Sequence, residues 1–227
     1  SPSLPCCGLQ ELNHISKRSI SFSTYAKRRQ SKMYGIDFTF VSGREGGQRL
    51  NGYVPIQKGL VIGNSGVTIA TGVDIGQMSI TDLNKLKIPQ SLRDKLAPYT
   101  LITKMQASQL IKRKPLSITK READLLDKAI QETHFVPLVN RYNRDSMVPF
   151  HKIPKEAQTV LGSLAWHYGA GFMNKEKFNG LWNCAIYQNW DGLSEELRAY
   201  RIAVQGIKNR RALEANLIDK IGTTAFV

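Results

Sequence analysis

A chain of 227 residues with 41% apolar content is long enough to bury one sizeable core or two small lobes, which excludes a disordered polypeptide. No apolar run approaches the length of about 18 residues that a membrane-spanning helix needs, so no span is expected. The formal net charge of +14 points instead to a polyanionic partner: nucleic acid, anionic lipid or an acidic cell wall. Cys6, Cys7 and Cys184 show neither a C-x-x-C pair nor zinc-ligand spacing, and an odd count argues against a disulfide framework.

Residues 1–34 form a basic, Ser-rich head in which Lys17, Arg18, Lys27, Arg28, Arg29 and Lys32 face the single acid Glu11. The composition reads as a linker or peripheral arm. A nucleic-acid arm would interleave aromatics with the cations, and only Phe22 and Tyr25 do so. The chain starts at Ser1 without the charged-then-apolar leader of a secretory signal, so a processed form or one domain of a larger protein is expected.

From Tyr34 to Val41 the local signal is double. Ile36, Phe38 and Phe40 alternate as in a strand, while Tyr34, Phe38 and Val41 share a helical face. Residues 41–77 then carry glycines at 43, 46, 47, 52, 59, 63, 66, 72 and 76. That density means tight turns and close backbone approach, with short strands expected around Gly52–Val54, Leu60–Ile62 and Val67–Thr71. Beyond Asp74 the pattern turns helical, with short segments Thr81–Leu86, Ser91–Leu96 and Lys104–Lys112. The capping box Thr119-x-x-Glu122 opens a helix with Ala123, Leu126, Ala129 and Ile130 on one face, expected to end near Phe135 ahead of Pro137. Pro154 opens the most periodic segment, Ala157, Val160, Leu161, Leu164, Ala165 and Tyr168, closed by Gly169 and Gly171. Amphipathic segments Lys177–Gln188, Leu193–Val204 and Ile207–Ile221 complete an α+β order: a small β-containing lobe at about 35–80, a helical lobe at about 81–222, and a cleft between them.

Two acids stand isolated on the glycine-rich platform. Glu45 opens it, Asp74 closes it, and no Asp or Glu lies between them. Glycosidases use one protonated acid for the leaving oxygen and one carboxylate for water or the sugar carbon. Glu45, after an apolar segment, suits the acid if burial keeps it protonated; Asp74, in a polar turn, suits the ionised partner. Thr68 on the intervening strand offers a hydroxyl to hold the attacking water. The ordinary alternatives are a solvated Glu beside Arg44 and an Asx turn at Asp74.

The run Gly43-Arg-Glu-Gly-Gly-Gln48, then Gly52-Tyr53, then Gly66-Val-Thr-Ile-Ala-Thr-Gly-Val-Asp-Ile-Gly76 resembles the active-site region of lysozyme-like bacterial toxins of the pesticin type, relatives of the phage lysozymes. Glu45 falls on the phage glutamate and Thr68-Ile69 on its Thr-Ile, while Val73 stands where the phage enzymes carry histidine. No acid precedes Thr68, so Asp74 takes the aspartate role, in the order Glu, Thr, Asp. Leu164 to Phe172 is similar to the Phe-Asn-x-Gly helix end, with Trp166 and His167 replacing Phe-Asn, and Gly206-Ile207-x-x-Arg210-Arg211-x-x-Glu214 resembles the terminal Gly-Leu-x-x-Arg-Arg-x-x-Glu. Together these cover about residues 35–222.

The resemblance implies a helix before Glu45, a lysozyme-like fold, and cleavage of the β-1,4 bond between N-acetylmuramic acid and N-acetylglucosamine, with inversion. It gives Arg210 or Arg211 a supporting role at the glutamate, where an ion pair and burial push its pKa in opposite directions. Trp166 and His167 become sugar contacts or a core-helix end, and Gln48 and Tyr53 line the cleft. No cofactor or metal is expected: the four histidines lack metal-ligand spacing and no phosphate loop is present. The expected partner is the peptidoglycan glycan strand, with a cognate immunity protein in the toxin case and no nucleic acid. The setting is secreted or delivered, acting in the periplasm or cell wall of a target bacterium. A phage-type endolysin and a non-catalytic basic binding domain on the same fold are the other readings.

Overall fold

The computed structural model describes residues 34–43, 47–199 and 205–222, with side chains of the last segment from residue 210. The chain divides into two units, residues 1–34 and 35–227. The head, with Cys6 and Cys7, and the candidate acid Glu45 lie outside the described residues.

The second unit opens with a short helix, α1 (Phe38–Ser42), so the double signal resolves as helix. Asp37 caps it, its Oδ1 accepting from the Phe40 amide at 3.1 Å, and Gly43 ends it at φ 65°, a left-handed position suited to glycine. Strands β1 (Arg49–Tyr53), β4 (Thr68–Ala70) and β5 (Val73–Asp74) form an antiparallel sheet in the order β1-β4-β5, beside a two-stranded hairpin of β2 (Ile56–Gln57) and β3 (Leu60–Val61). Thr68 pairs with Tyr53 on one side and with Asp74 on the other. Helices α2 (Ile80–Lys85), α3 (Gln90–Leu96) and α4 (Lys104–Arg113) follow, then the long α5 (Lys120–Asp145) and the remaining helices α6 (Lys155–Tyr168), α7 (Asn179–Ile186), α8 (Trp190–Ala199) and α9 (Gln205–Asp219).

Helix α5 departs from the sequence expectation. It does not stop near Phe135 but runs on through Pro137. An interior proline removes one N–H bond and costs roughly 3 kcal/mol. Here Pro137 is exposed, while Phe135, Leu138, Val139 and Tyr142 on the opposite face are all at least 99% buried. Each such side chain contributes on the order of 1.5–3 kcal/mol by burial, so packing outweighs the local penalty.

The same helix divides the interior. Its first half (Ala123, Leu126, Ala129, Ile130) packs with Val67, Ile69, Ile75, Leu83, Leu92 and Leu96 into a core under the sheet; its second half joins the core of α6–α9. The two cores thus meet along α5, with Leu83, Leu92, Leu96 and Ala107 of α2, α3 and α4 in the one that holds the sheet. Among the described residues, no helix is long and apolar enough to cross a membrane.

Candidate active site

Asp74 sits where the sheet meets a 3₁₀ turn at Ile75–Gln77. Its Oδ1 accepts from the amides of Gly66 at 3.1 Å and Gly76 at 3.0 Å, and its Oδ2 lies 3.2 Å from the Gly66 amide. The two glycines are required by close approach. A Cβ on Gly66 would stand 2.5 Å from the Ile102 carbonyl oxygen and 2.6 Å from the Gly76 Cα. The backbones thus meet with no room for a side chain, which aims both N–H groups at one carboxylate. In all these contacts Asp74 is an acceptor, the role an ionised carboxylate fills. It makes the Asx-type cap that a glycine turn suggests, and it also faces a pocket.

That pocket has a volume of about 420 Å³. One wall is Gly72, Val73 and Asp74 with Gln77 and Met78; a second is α2 with Asp82, Lys85 and Leu86; the third is Ile130, Thr133 and His134 of α5 with Trp166 of α6. Trp166 is wedged among aromatics, edge-on to Phe38 of α1 at 5.1 Å between centroids and 4.7 Å from the His134 ring. Burial pushes the His134 imidazole below its ordinary pKa, with its hydrogen bond to the Ala165 backbone pulling the other way. This side of the pocket is therefore uncharged near neutrality. Asp82 and Lys85 bring charge on the opposite side.

Among the described candidates, the structure brings Asp74 and Trp166 to one pocket and leaves Thr68, Gln48, Tyr53, His167, Arg210 and Arg211 off its lining; Glu45 lies outside the described residues. Thr68 is 1% exposed and its hydroxyl donates to the Gly66 carbonyl at 3.2 Å, so only its lone pairs are left to hold a water. Gln48 turns its amide nitrogen to Asp124 and Asp127 of α5, each at 2.9 Å. Tyr53 stacks under the Arg49 guanidinium at 4.5 Å. Neither residue lines the pocket.

His167, one residue on from Trp166 and so about 100° round the helix, bonds back to the Ser163 carbonyl through Nδ1 at 2.7 Å. Its outer edge is exposed; desolvation by the surrounding chain, followed by the charges of Arg210 and Arg211, lowers its pKa to about 4.

The two arginines separate. Arg210 donates to the carbonyls of Phe40 and, at 2.9 Å, Val41, and lies over the Phe40 ring, so it clamps the last turn of α1. Arg211 is 98% buried, against Tyr168 and in an ion pair with Glu214. Burial first, against the pull of Arg211, Ser163 and Arg210, raises the Glu214 carboxyl to about 7.

Thr133 and His134 stand outside the site expected from the sequence, although the helix expected to end near Phe135 contains both. The signal was present: Ile130, Thr133 and His134 recur at i, i+3 and i+4, which puts them on one face. Among the described residues, no three His, Cys, Asp or Glu side chains group as metal ligands.

A small antiparallel sheet, a long helix bridging two cores, and an acid held beside a pocket between sheet and helices define a lysozyme-like α+β domain. The chain belongs to the Pesticin family, described as a bacterial toxin homologue of phage lysozyme, C-terminal, which matches residues 35–191. No curated protein matches the chain.

Proposed function

We propose that this domain is a peptidoglycan hydrolase, an N-acetylmuramidase that serves as the killing domain of an antibacterial toxin acting in the periplasm or cell wall of a target cell. The observation that carries the reading is Asp74, held by the Gly66 and Gly76 amides on the wall of a pocket with Trp166 opposite. In this scheme Glu45 protonates the leaving oxygen, and Asp74 accepts a proton from the water that attacks from the other face of the sugar. The product is inverted, which needs room for a water between carboxyls about 6.5–9.5 Å apart. Trp166 offers an aromatic face to a sugar ring. The positive charge of the chain draws it to acidic stem peptides, an attraction that salt weakens. A toxin of this kind is expected to have a cognate immunity protein.

Asp37 and Asp82, the acids on the helices either side of the sheet, suit the base less well. Asp37 is the cap of α1 and does not line the pocket. Asp82 does line it, but its carboxylate accepts from the Ser79 amide at 2.9 Å in a reciprocal capping box, and that bond holds its pKa below the ordinary carboxylate value. Digestion of purified peptidoglycan by wild type, Glu45→Gln, Asp74→Asn and Asp82→Asn tests the assignment. Wild type and Asp82→Asn are expected to clear, and the other two to lose activity by at least about 100-fold, the scale of a lost general acid or base. Clearing by Glu45→Gln, or loss in Asp82→Asn with activity kept in Asp74→Asn, overturns the roles. No clearing by wild type, with salt-sensitive nucleic-acid binding, overturns the reaction itself.

A further inference from the structure

We propose that Asp127 is a positioning residue for this site, fixing the β4–β5 turn from inside helix α5 and, through the turn, the carboxylate of Asp74. The inference rests on the hydrolase reading of Asp74 above.

Asp127 is 8% exposed, an acid on a helix face otherwise packed on the sheet-side core. A buried carboxylate is retained only where hydrogen bonds compensate it. Both oxygens are used on the turn: Oδ1 accepts from the Thr71 amide at 2.9 Å and Oδ2 from the Thr71 hydroxyl at 2.7 Å. Oδ2 also accepts from the Gln48 amide nitrogen at 2.9 Å, which joins the residue before β1 to the same anchor. Among the described residues Gln48 is held through its NH₂ alone, its Oε1 being buried with no partner there.

The turn needs holding. Thr71 lies between Ala70 at φ 53° and Gly72 at φ 72°, and Ala70 has no other sign of being suited to the left-handed region. A non-glycine residue there is strained and persists where its surroundings over-determine it. Ile69 pairs with Val73 across the turn, so Thr71 sits at its apex and Asp74 is one residue past the closing pair. A carboxylate that grips the apex by both its N–H and its O–H therefore sets the direction in which β5 leaves. Trp166 and His134, on the opposite wall, stand on α6 and α5 and do not depend on the turn. Loosening Thr71 should thus disturb the reacting group and leave the sugar-facing wall in place.

The test uses the full chain as wild type, Asp127→Ala and Thr71→Val, with kcat and KM on soluble glycan strands, the Tm, and the amide proton signals of Gly66, Thr71 and Gly76. Asp127→Ala is expected to lower kcat by roughly 10–100-fold, the scale of a misplacement of about 1 Å, with KM held within about threefold. The Thr71 amide should exchange faster, and the Gly66 and Gly76 signals should move, because their bonds run to Asp74.

Thr71→Val keeps the amide bond and loses the hydroxyl; it should lower kcat by a smaller factor with only a modest loss of Tm, and it is the deciding variant if Asp127→Ala fails to fold. Unchanged kcat in the folded variants, or a loss confined to KM, overturns the proposal. If wild type does not cleave glycan, the hydrolase reading fails and the amide signals decide alone. Movement at Gly66 and Gly76 then upholds the positioning of Asp74, and unmoved signals refute it.

Discussion

The sharpest consequence of the geometry is at Gly66. An added Cβ meets three backbone atoms: the Ile102 oxygen at 2.5 Å, the Gly76 Cα at 2.6 Å and the Gly76 nitrogen at 3.0 Å. The first two lie nearly 1 Å inside ordinary van der Waals contact, and none belongs to a side chain that can rotate away. Overpacking of a filled site costs typically 1–3 kcal/mol and more when backbone must move, so about 3 kcal/mol is the expected penalty for Gly66→Ala. The stiffer unfolded chain offsets roughly 0.4–1 kcal/mol of this, which leaves at least about 2 kcal/mol. For a domain of this size each kcal/mol lowers Tm by about 2–4 °C, so a drop of about 4–8 °C is expected by circular dichroism or calorimetry. Gly222→Ala, with nothing among the described residues within 4 Å of its new Cβ, is the control and should stay within about 0.5 kcal/mol of wild type. The displaced Gly66 amide is also a donor to Asp74, so Gly66→Ala should lose lytic activity by about 10–100-fold at temperatures where it remains folded. A Gly66→Ala protein that melts within 2 °C of wild type, a tolerance set by the ~2–4 °C expected per kcal/mol, refutes the close backbone contact and with it the account of how Asp74 is held.

Pro137→Ala should stabilise the protein, since α5 already runs through this exposed position without the N–H; a gain of about 1–2 kcal/mol in urea unfolding is expected, and a loss would show that the proline shapes the helix. Glu214 gives a pH signature. Its carboxyl is raised to about 7 in the fold from an ordinary 4.5, so between those values the folded state keeps a proton that the unfolded state releases, and stability falls as pH rises through the window. Glu214→Gln removes that decline, which amounts to at most the order of 3 kcal/mol. The opposite slopes from His134 and His167, whose lowered pKa values make stability fall as pH drops below the ordinary histidine range, are present in both proteins and cancel in the comparison. Parallel stability curves for the two proteins from pH 4.5 to 7, the bounds between which Glu214 titrates, would refute the burial argument.

Much of this protein is legible in one dimension. The Thr119 capping box forms as read, with Glu122 reaching back to the Thr119 amide, and the spacing from Ala157 to Tyr168 gives α6 because a stripe of period 3.6 has one way to be buried. The glycine density between 41 and 77 marks a turn-rich sheet, and the two lone acids draw the eye to Asp74. These are local properties: caps, periodicity and the conformational freedom of glycine act over a few residues.

What the sequence left open depends on contacts between distant segments. The five residues after Asp37 are a helix because Arg210, 170 positions from Phe40, clamps their carbonyls and Phe38 meets Trp166. Pro137 does not end α5 because apolar faces from two cores hold the helix on either side of it. The neighbours Trp166 and His167 part company by a helical rotation that only the placement of α1 and α9 makes consequential. Gln48, read as a cleft residue, turns inward because Asp127 waits on a helix folded over the sheet from 79 residues away. Local propensity set the pieces and the chemistry they carry; burial and hydrogen-bond satisfaction, summed over the whole fold, decided which of those side chains face the pocket.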